Sequence, residues 1–329
     1  MTGDEQADDP ILEVQGLQKY FPIKGGLLNR TVGNVKAVDG VSFEIGDGET
    51  LGLVGESGCG KSTLGRTVLR LHDPTAGQIR YRGTDITDAS KSTMKAYRRE
   101  IQIIFQDPAA SLNPRMSVAR CIEEPMQSLT DWSRERRQER IVELVEEVGL
   151  GTEHLDRAPH ELSGGQQQRV GIARALSIKP RFIVADEPTS ALDVSVQASI
   201  LNLLDDLRDE YDLTFLLISH DLSVIRHAAD RIAVMYLGKL AEVASTQTLF
   251  ESPKHPYTRA LLSSVPRAGP ESLEDRVLLE GSVPSPENPP SGCRYHTRCQ
   301  EYIGDVCEQE EPALEELSDE HLCACHHYE

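Results

Sequence analysis

Short apolar runs alternate with longer amphipathic stretches along most of this chain, separated by turn residues. Ile11–Leu17 and Val35–Ile45 read as strands from their alternation and β-branched content, with Lys24-Gly25-Gly26 marking a loop between them. Thr50–Val54 is a short apolar strand entering a glycine-rich segment, and the chain continues as a helix over Lys61–Leu71. Ile101–Phe105 is another strand, ending at Gln106. Between Ser133 and Val148, residues Ile141, Leu144, Val145 and Val148 recur at helical spacing while charges fill the other faces. Ser163 is placed as the N-cap of a helix reaching about Ser177. Arg181–Ala185 and Thr214–Ser219 are buried-strand runs separated by a helical segment, Val194–Glu210. Arg231–Tyr236 and Lys239–Ala244, joined near Gly238, read as a terminal hairpin. Such alternation predicts a three-layer α/β core.

The pattern changes after about Ser252. Prolines at 253, 256, 266, 270, 284, 286, 289 and 290 mark residues 253–329 as an extended, loop-rich tail, and five of the seven cysteines lie beyond residue 290. Residues 1–10 are polar and expected to be disordered, which leaves 11–252 as the main domain. The length, 329 residues, is ample for one large domain and an appendage.

Charge narrows the function classes. Lys+Arg number 34 against 53 Asp+Glu, a formal net charge of −19, which argues against a nucleic-acid surface. Only nine of the basic residues are lysine, the composition expected of a halophilic source; an ordinary acidic cytosolic protein is the alternative. Met1–Pro10 lacks the apolar core of a signal peptide, and the longest apolar strands resemble Phe215-Leu216-Leu217-Ile218, far short of a membrane span. Service at a membrane would therefore be as a peripheral subunit. Seven cysteines without an export signal point to metal or inert thiols rather than disulfides.

Gly55-Glu56-Ser57-Gly58-Cys59-Gly60-Lys61-Ser62-Thr63 fits the phosphate-loop pattern at every fixed position, in the strand–loop–helix order that the chemistry requires. Glycines let the backbone wrap close to phosphate oxygens, and successive N–H groups at a helix start supply positive potential. Lys61 is expected on the β- and γ-phosphates and Ser62 on Mg²⁺. Downstream, Phe182-Ile183-Val184-Ala185 leads into two adjacent carboxylates, Asp186 and Glu187, and burying such a pair without a partner is strongly disfavoured.

Leu162-Ser163-Gly164-Gly165-Gln166, taken with that phosphate loop, resembles the signature of the ABC ATPases. The resemblance covers nearly the whole chain and implies a P-loop NTPase cassette: a RecA-like core, an antiparallel β-subdomain and a helical subdomain at about 107–178. It implies that Asp186 helps hold Mg²⁺ through water, that Glu187 polarises the attacking water, and that Gln106 touches Mg²⁺ and senses a membrane partner. It also makes His220 the switch histidine on the γ-phosphate and places Asp193 in the D-loop Ser190-Ala191-Leu192-Asp193. Phe21, neighbour of Tyr20, aligns with the aromatic that stacks on adenine. Two subunits would sandwich two ATP molecules, with Ser163, Gly164, Gly165 and Gln166 of one closing over the phosphate loop of the other.

Two segments narrow the branch. Gln106-Asp107-Pro108-Ala109-Ala110-Ser111-Leu112-Asn113-Pro114-Arg115 and His255-Pro256-Tyr257-Thr258-Arg259-Ala260-Leu261-Leu262 resemble stretches of ATP-binding subunits of oligopeptide/dipeptide importers. That implies an ATPase motor on the cytoplasmic face of the cell membrane. Its partners would be a second ATPase subunit (a paralogue in the usual case), two transmembrane permease subunits and, indirectly, an extracytoplasmic binding protein. Relatives in this branch also import nickel complexes and sugars. A soluble ABC ATPase of translation or DNA repair would carry two cassettes or a long coiled-coil insertion, and neither is visible. Cys293-x5-Cys299-x7-Cys307 with Ala324-Cys325-His326 resembles the C-terminal [4Fe-4S] motif of some members. Four thiolates suit such a cluster. Cys325 is favoured as the fourth ligand over Cys323, a zinc site using His326 or His327 is the main rival, and free or disulfide-bonded thiols are the remaining alternative. Cys59 and Cys121 read as plain small residues.

Overall fold

The computed structural model describes residues 10–25, 30–190, 192–263, 281–318 and 320–328. Residues 1–9, Gly26, Ala191 and the prolines at 266 and 270, on which earlier expectations fell, lie outside the described residues. The chain divides into two compact units, one from Met1–Ile11, Ile45–Glu49 and Arg82–Ile218, the other from Leu12–Glu44, Thr50–Tyr81 and Ser219–Glu329.

In the first unit three parallel strands lie in the order Thr214–Ile218, Phe182–Asp186, Ile101–Ile104. The first two are buried at every position, which is why they appear in the sequence as unbroken apolar runs. The helix Gly164–Leu176 packs on strand Ile101–Ile104 and on helices Val118–Leu129, Arg134–Glu147 and Val194–Tyr211. Its apolar residues Val170, Ile172, Ala173 and Leu176 are essentially inaccessible, so it forms the centre of this unit's core. Ser163 caps its helix as the pattern predicts, and Ser133 caps the helix that follows it, each hydroxyl accepting the N–H three residues on.

The second unit holds two sheets. Strands Arg30–Ile45, Leu12–Gly25 and Ala76–Tyr81 are neighbours in that order, the last pair antiparallel. The other sheet runs Glu315–Ser318, His321–Cys323, Lys239–Ser245, Arg231–Tyr236, Thr50–Val54, antiparallel except for the parallel closing pair. Leu237 and Gly238, both with positive φ, make the two-residue turn that joins Arg231–Tyr236 to Lys239–Ser245.

Three expectations need correction. Lys24 and Gly25 belong to the strand Leu12–Gly25, which is twice the predicted length and takes its extra residues past a register shift between Gln15 and Gln18. The hairpin is not terminal, because His321–Cys323 adds to its outer strand. The described part of 253–329 contains the helix Pro256–Ser263, whose Tyr257, Ala260 and Leu262 are buried. Proline at its first position is compatible with a helix start, so a proline count alone misreads this segment as loop.

Candidate functional site

The buried strand Thr50–Val54 ends at Gly55, where the phosphate-loop segment begins. Two glycines there are sterically required. A Cβ on Gly55 (φ 154°) would stand 2.1 Å from the Met235 carbonyl oxygen, and one on Gly60 (φ 113°) 2.0 Å from that of Ala37. Ser57 and Gly58 are exposed at the crest, while Cys59 is buried beneath it and burial pushes its thiol up. A neutral thiol there packs beneath the loop. Lys61 starts the helix Lys61–Val68 and donates through Nζ to the carbonyls of Gly55 (2.7 Å) and Glu56 (3.1 Å). Ser62 and Thr63 follow in the first turn, half-buried.

The same unit carries His220, which is exposed; the Ser219 N–H beside it donates to Leu53 O at 3.1 Å and so sets His220 alongside the end of the phosphate-loop strand. Phe21 is half-buried, edge-on to the His72 ring at 5.6 Å, with the Lys19 ammonium 5.0 Å from its centroid. Its neighbour Tyr20 turns to another task and donates its hydroxyl to Asp39.

In the first unit, strand Phe182–Asp186 delivers Asp186 at its buried end, and Glu187 follows with φ 47°. A non-glycine residue in the left-handed region is uncommon. Glu187 Oε2 accepts a 2.8 Å hydrogen bond from Gln106 Nε2, so two predicted site residues 81 positions apart meet. The signature segment is equally defined. Ser163 Oγ accepts the Gln166 N–H (3.3 Å) and Gln166 Oε1 accepts the Ser163 N–H (2.9 Å), a reciprocal capping box. Gly164 and Gly165 open the helix behind it; a Cβ on Gly165 would come within 2.6 Å of Val196 Cγ1, and one on Gly164 within 3.4 Å of Leu192 Cδ2. The signature thus lies against the segment that contains exposed Asp193, the N-cap of helix Val194–Tyr211.

Sequence reasoning missed the surroundings of Glu56. Its N–H donates to Tyr257 Oη (2.9 Å), and its carboxylate accepts from Nη1 and Nη2 of Arg298, at 2.7 and 3.1 Å. Arg298 also donates to Tyr236 Oη at 3.3 Å. The one available signal was a carboxylate placed inside a loop suited to phosphate, which calls for a counter-charge.

Cys293, Cys299, Cys307 and Cys325 line one small cavity together with His296, His326 and His327. The Cys293 N–H donates to Cys307 O at 2.9 Å, which draws two of the four together. Burial, reinforced by the other three thiols, pushes the Cys293 thiol up to about 11, and burial likewise raises Cys299 and Cys325. Cys323 does not line the cavity; it is buried in its strand, paired with Glu242 in the sheet. Among the described residues, no three or more His, Cys, Asp or Glu form a group that could hold a metal ion. None of the described helices is long and apolar enough to cross a membrane.

Comparison with known proteins gives the family. The ABC transporter family model matches residues 38–190, and the model for the C-terminal region of oligopeptide/dipeptide transporters matches 241–307. The oligopeptide transport ATP-binding protein AppF of Bacillus subtilis is 52% identical, with all of both chains covered. The dipeptide transport ATP-binding protein DppF of Escherichia coli is 46% identical over 98% of this chain and 96% of its own. Among solved structures, the ATP-binding cassette MJ0796, a dimer in a post-hydrolysis state with ADP and phosphate, matches at TM-score 0.64 and 29% identity. That match covers 71% of this chain and 98% of the other.

Proposed function

This chain belongs to the oligopeptide/dipeptide ATP-binding proteins of the ABC transporter family, and from that premise we propose the following working parts for it. It is the ATP-binding and ATP-hydrolysing motor of a peptide importer. The observation that carries the peptide assignment is full-length similarity that extends through the tail, where residues 241–307 match the transporter-specific C-terminal region.

Gly55–Thr63 cradles the ATP phosphates, the glycines giving the close approach that a Cβ would block. Lys61 leaves its two carbonyl acceptors for the β- and γ-phosphates, and Ser62, Gln106 and Asp186 serve Mg²⁺. Glu187, aimed by Gln106, orients and polarises the attacking water, while His220 bonds the γ-phosphate and Phe21 stacks on adenine. Chemistry of this class depends on positioning and charge rather than covalent steps. Ser163–Gln166, held as a preformed helix start, closes over nucleotide on a partner subunit, with Asp193 crossing beside it.

The partners are a paralogous ATPase subunit and two permease subunits, supplied with peptide by an extracytoplasmic binding protein, and the chain sits peripherally on the cytoplasmic membrane face. Its acidic, lysine-poor composition suits a high-salt cell. The tail thiols are the donor set that an iron–sulfur cluster takes. Four line one cavity, and each thiolate of a four-iron cluster binds a different iron. Cys293, Cys299, Cys307 and Cys325 would hold it. The cluster, when bound, supplies positive charge that keeps four thiolates deprotonated and the tail folded around them.

Co-purification tests the assignment. Two membrane subunits and a second ATPase subunit should come with this chain, and a chain recovered only as a freestanding soluble dimer contradicts it.

A further inference from the structure

Glu56 is anchored at its N–H, its carbonyl and its carboxylate. The first goes to Tyr257, the second receives Lys61 Nζ, and the third is clamped by Arg298. Two of these partners come from the transporter-specific tail, although Glu56 is the second residue of the phosphate loop. The clamp itself is enclosed, the Arg298 side chain being 4% exposed and that of Glu56 21%. Arg298 is also bound to the cysteine cavity by sequence, since it immediately precedes Cys299 and follows Cys293 by five residues. The short turn between them is closed by backbone bonds, His296 N–H to Cys293 O (3.0 Å) and Arg298 N–H to Tyr295 O (2.9 Å). Tyr236, which receives Arg298, directly follows Met235, against whose carbonyl Gly55 is packed.

We propose that Arg298 is a positioning residue of the phosphate loop, through which the state of the cysteine cavity sets the loop's affinity for ATP. A carboxylate inside a loop that binds triphosphate repels its ligand unless it is neutralised. A bidentate guanidinium both neutralises it and fixes its direction, which a point charge does less well. The turn Cys293–Cys299 carries that guanidinium, so ligation of the two flanking thiols holds the clamp in place, and loss of ligation loosens it. This inference rests on the reading of Gly55–Thr63 as the ATP loop and of the four thiols as a cluster site.

The test measures the Kd of Mg-ATP by calorimetry on the full chain purified anaerobically, with iron content and far-UV circular dichroism recorded for each sample. Arg298→Met should weaken binding about tenfold, and Arg298→Lys, which keeps charge but loses the fork, by about threefold. Chelation of the iron should weaken the wild type by a similar factor and leave Arg298→Met and Glu56→Gln unaffected, because each lacks the clamp. If Arg298→Met does not fold, the lysine variant and Glu56→Gln carry the comparison. Folded, iron-containing Arg298→Met with the wild-type Kd overturns the proposal, as does a Glu56→Gln chain that still responds to iron removal. Two controls separate this failure from failure of its premises. Lys61→Ala binding ATP normally would strike down the phosphate-loop reading, and a wild-type chain purified without iron would strike down the cluster and its link to the loop together.

Discussion

Gln106 Nε2 donates to Glu187 Oε2 across 2.8 Å, joining the second residue after one parallel strand to the first residue after its neighbour. Glu187 gains from this a fixed carboxylate direction on a backbone already turned to φ 47°. Replacing Glu187 by Gln keeps the shape and the hydrogen-bond partner but removes the base. Turnover should fall by about 10²–10⁴-fold, the usual worth of a general base, with ATP affinity nearly unchanged. Single-turnover hydrolysis and equilibrium binding on the same preparation check both halves.

Lys61→Ala should act on the other quantity. Its ammonium is buried and held by two carbonyls and the Cys59 sulfur, all neutral, which phosphate oxygens of far greater charge can displace. Loss of a charge-assisted contact of this kind is worth about 1.5–3 kcal/mol, or roughly ten- to a hundredfold in Kd. Calorimetric titration with Mg-ATP reads it directly, and unchanged affinity would remove Lys61 from the site.

Cys325 and Cys323 are two residues apart, yet only Cys325 lines the cavity with the other three thiols. Cys325→Ser should therefore abolish stoichiometric iron and sulfide in anaerobically purified protein, whereas Cys323→Ser should retain both. A colourless wild-type chain with one bound zinc is the contrary result.

Asp39 carries a pH prediction for the tail's other anchor. Burial alone would raise its carboxyl, but the Tyr20 hydroxyl and the Arg294 guanidinium more than offset this and hold it below the usual carboxylate range. A lowered folded pKa means that the unfolded chain binds the proton first as pH drops. The stabilisation is then complete above about pH 4 and is lost as pH falls through the folded value. Asp39→Asn should be less stable than wild type by about 3 kcal/mol at pH 7, a figure typical of an unmatched buried partner. Denaturant melts at intervals from pH 7 to pH 3 should show that difference constant down to pH 5 and shrinking below pH 4.

Local signals explain what the sequence alone made readable. Thr50–Val54 and Phe182–Asp186 are buried throughout and so carry unbroken apolar runs. Ser163 and Gln166, three residues apart, declare a helix start by themselves. What stayed hidden depends on distant partners. The strand from Leu12 reaches Gly25 by passing a register shift that its partner Ala76–Tyr81 accommodates, which alternation over a few residues does not reveal. The ring orientation of Phe21 depends on His72, 51 positions on. Arg298 lies 242 positions from Glu56, and only the folded tail shows why a phosphate loop tolerates that acid.

ATP hydrolysis by this chain is coupled to peptide movement. Uptake of labelled di- and oligopeptides into vesicles holding the co-purified complex, with Mg-ATP supplied on the cytoplasmic side, measures that coupling. Peptide should accumulate only with hydrolysable ATP, and assembly with Glu187→Gln should stop it. Accumulation that is independent of ATP, or undiminished by Glu187→Gln, would contradict the assignment of this chain as the motor.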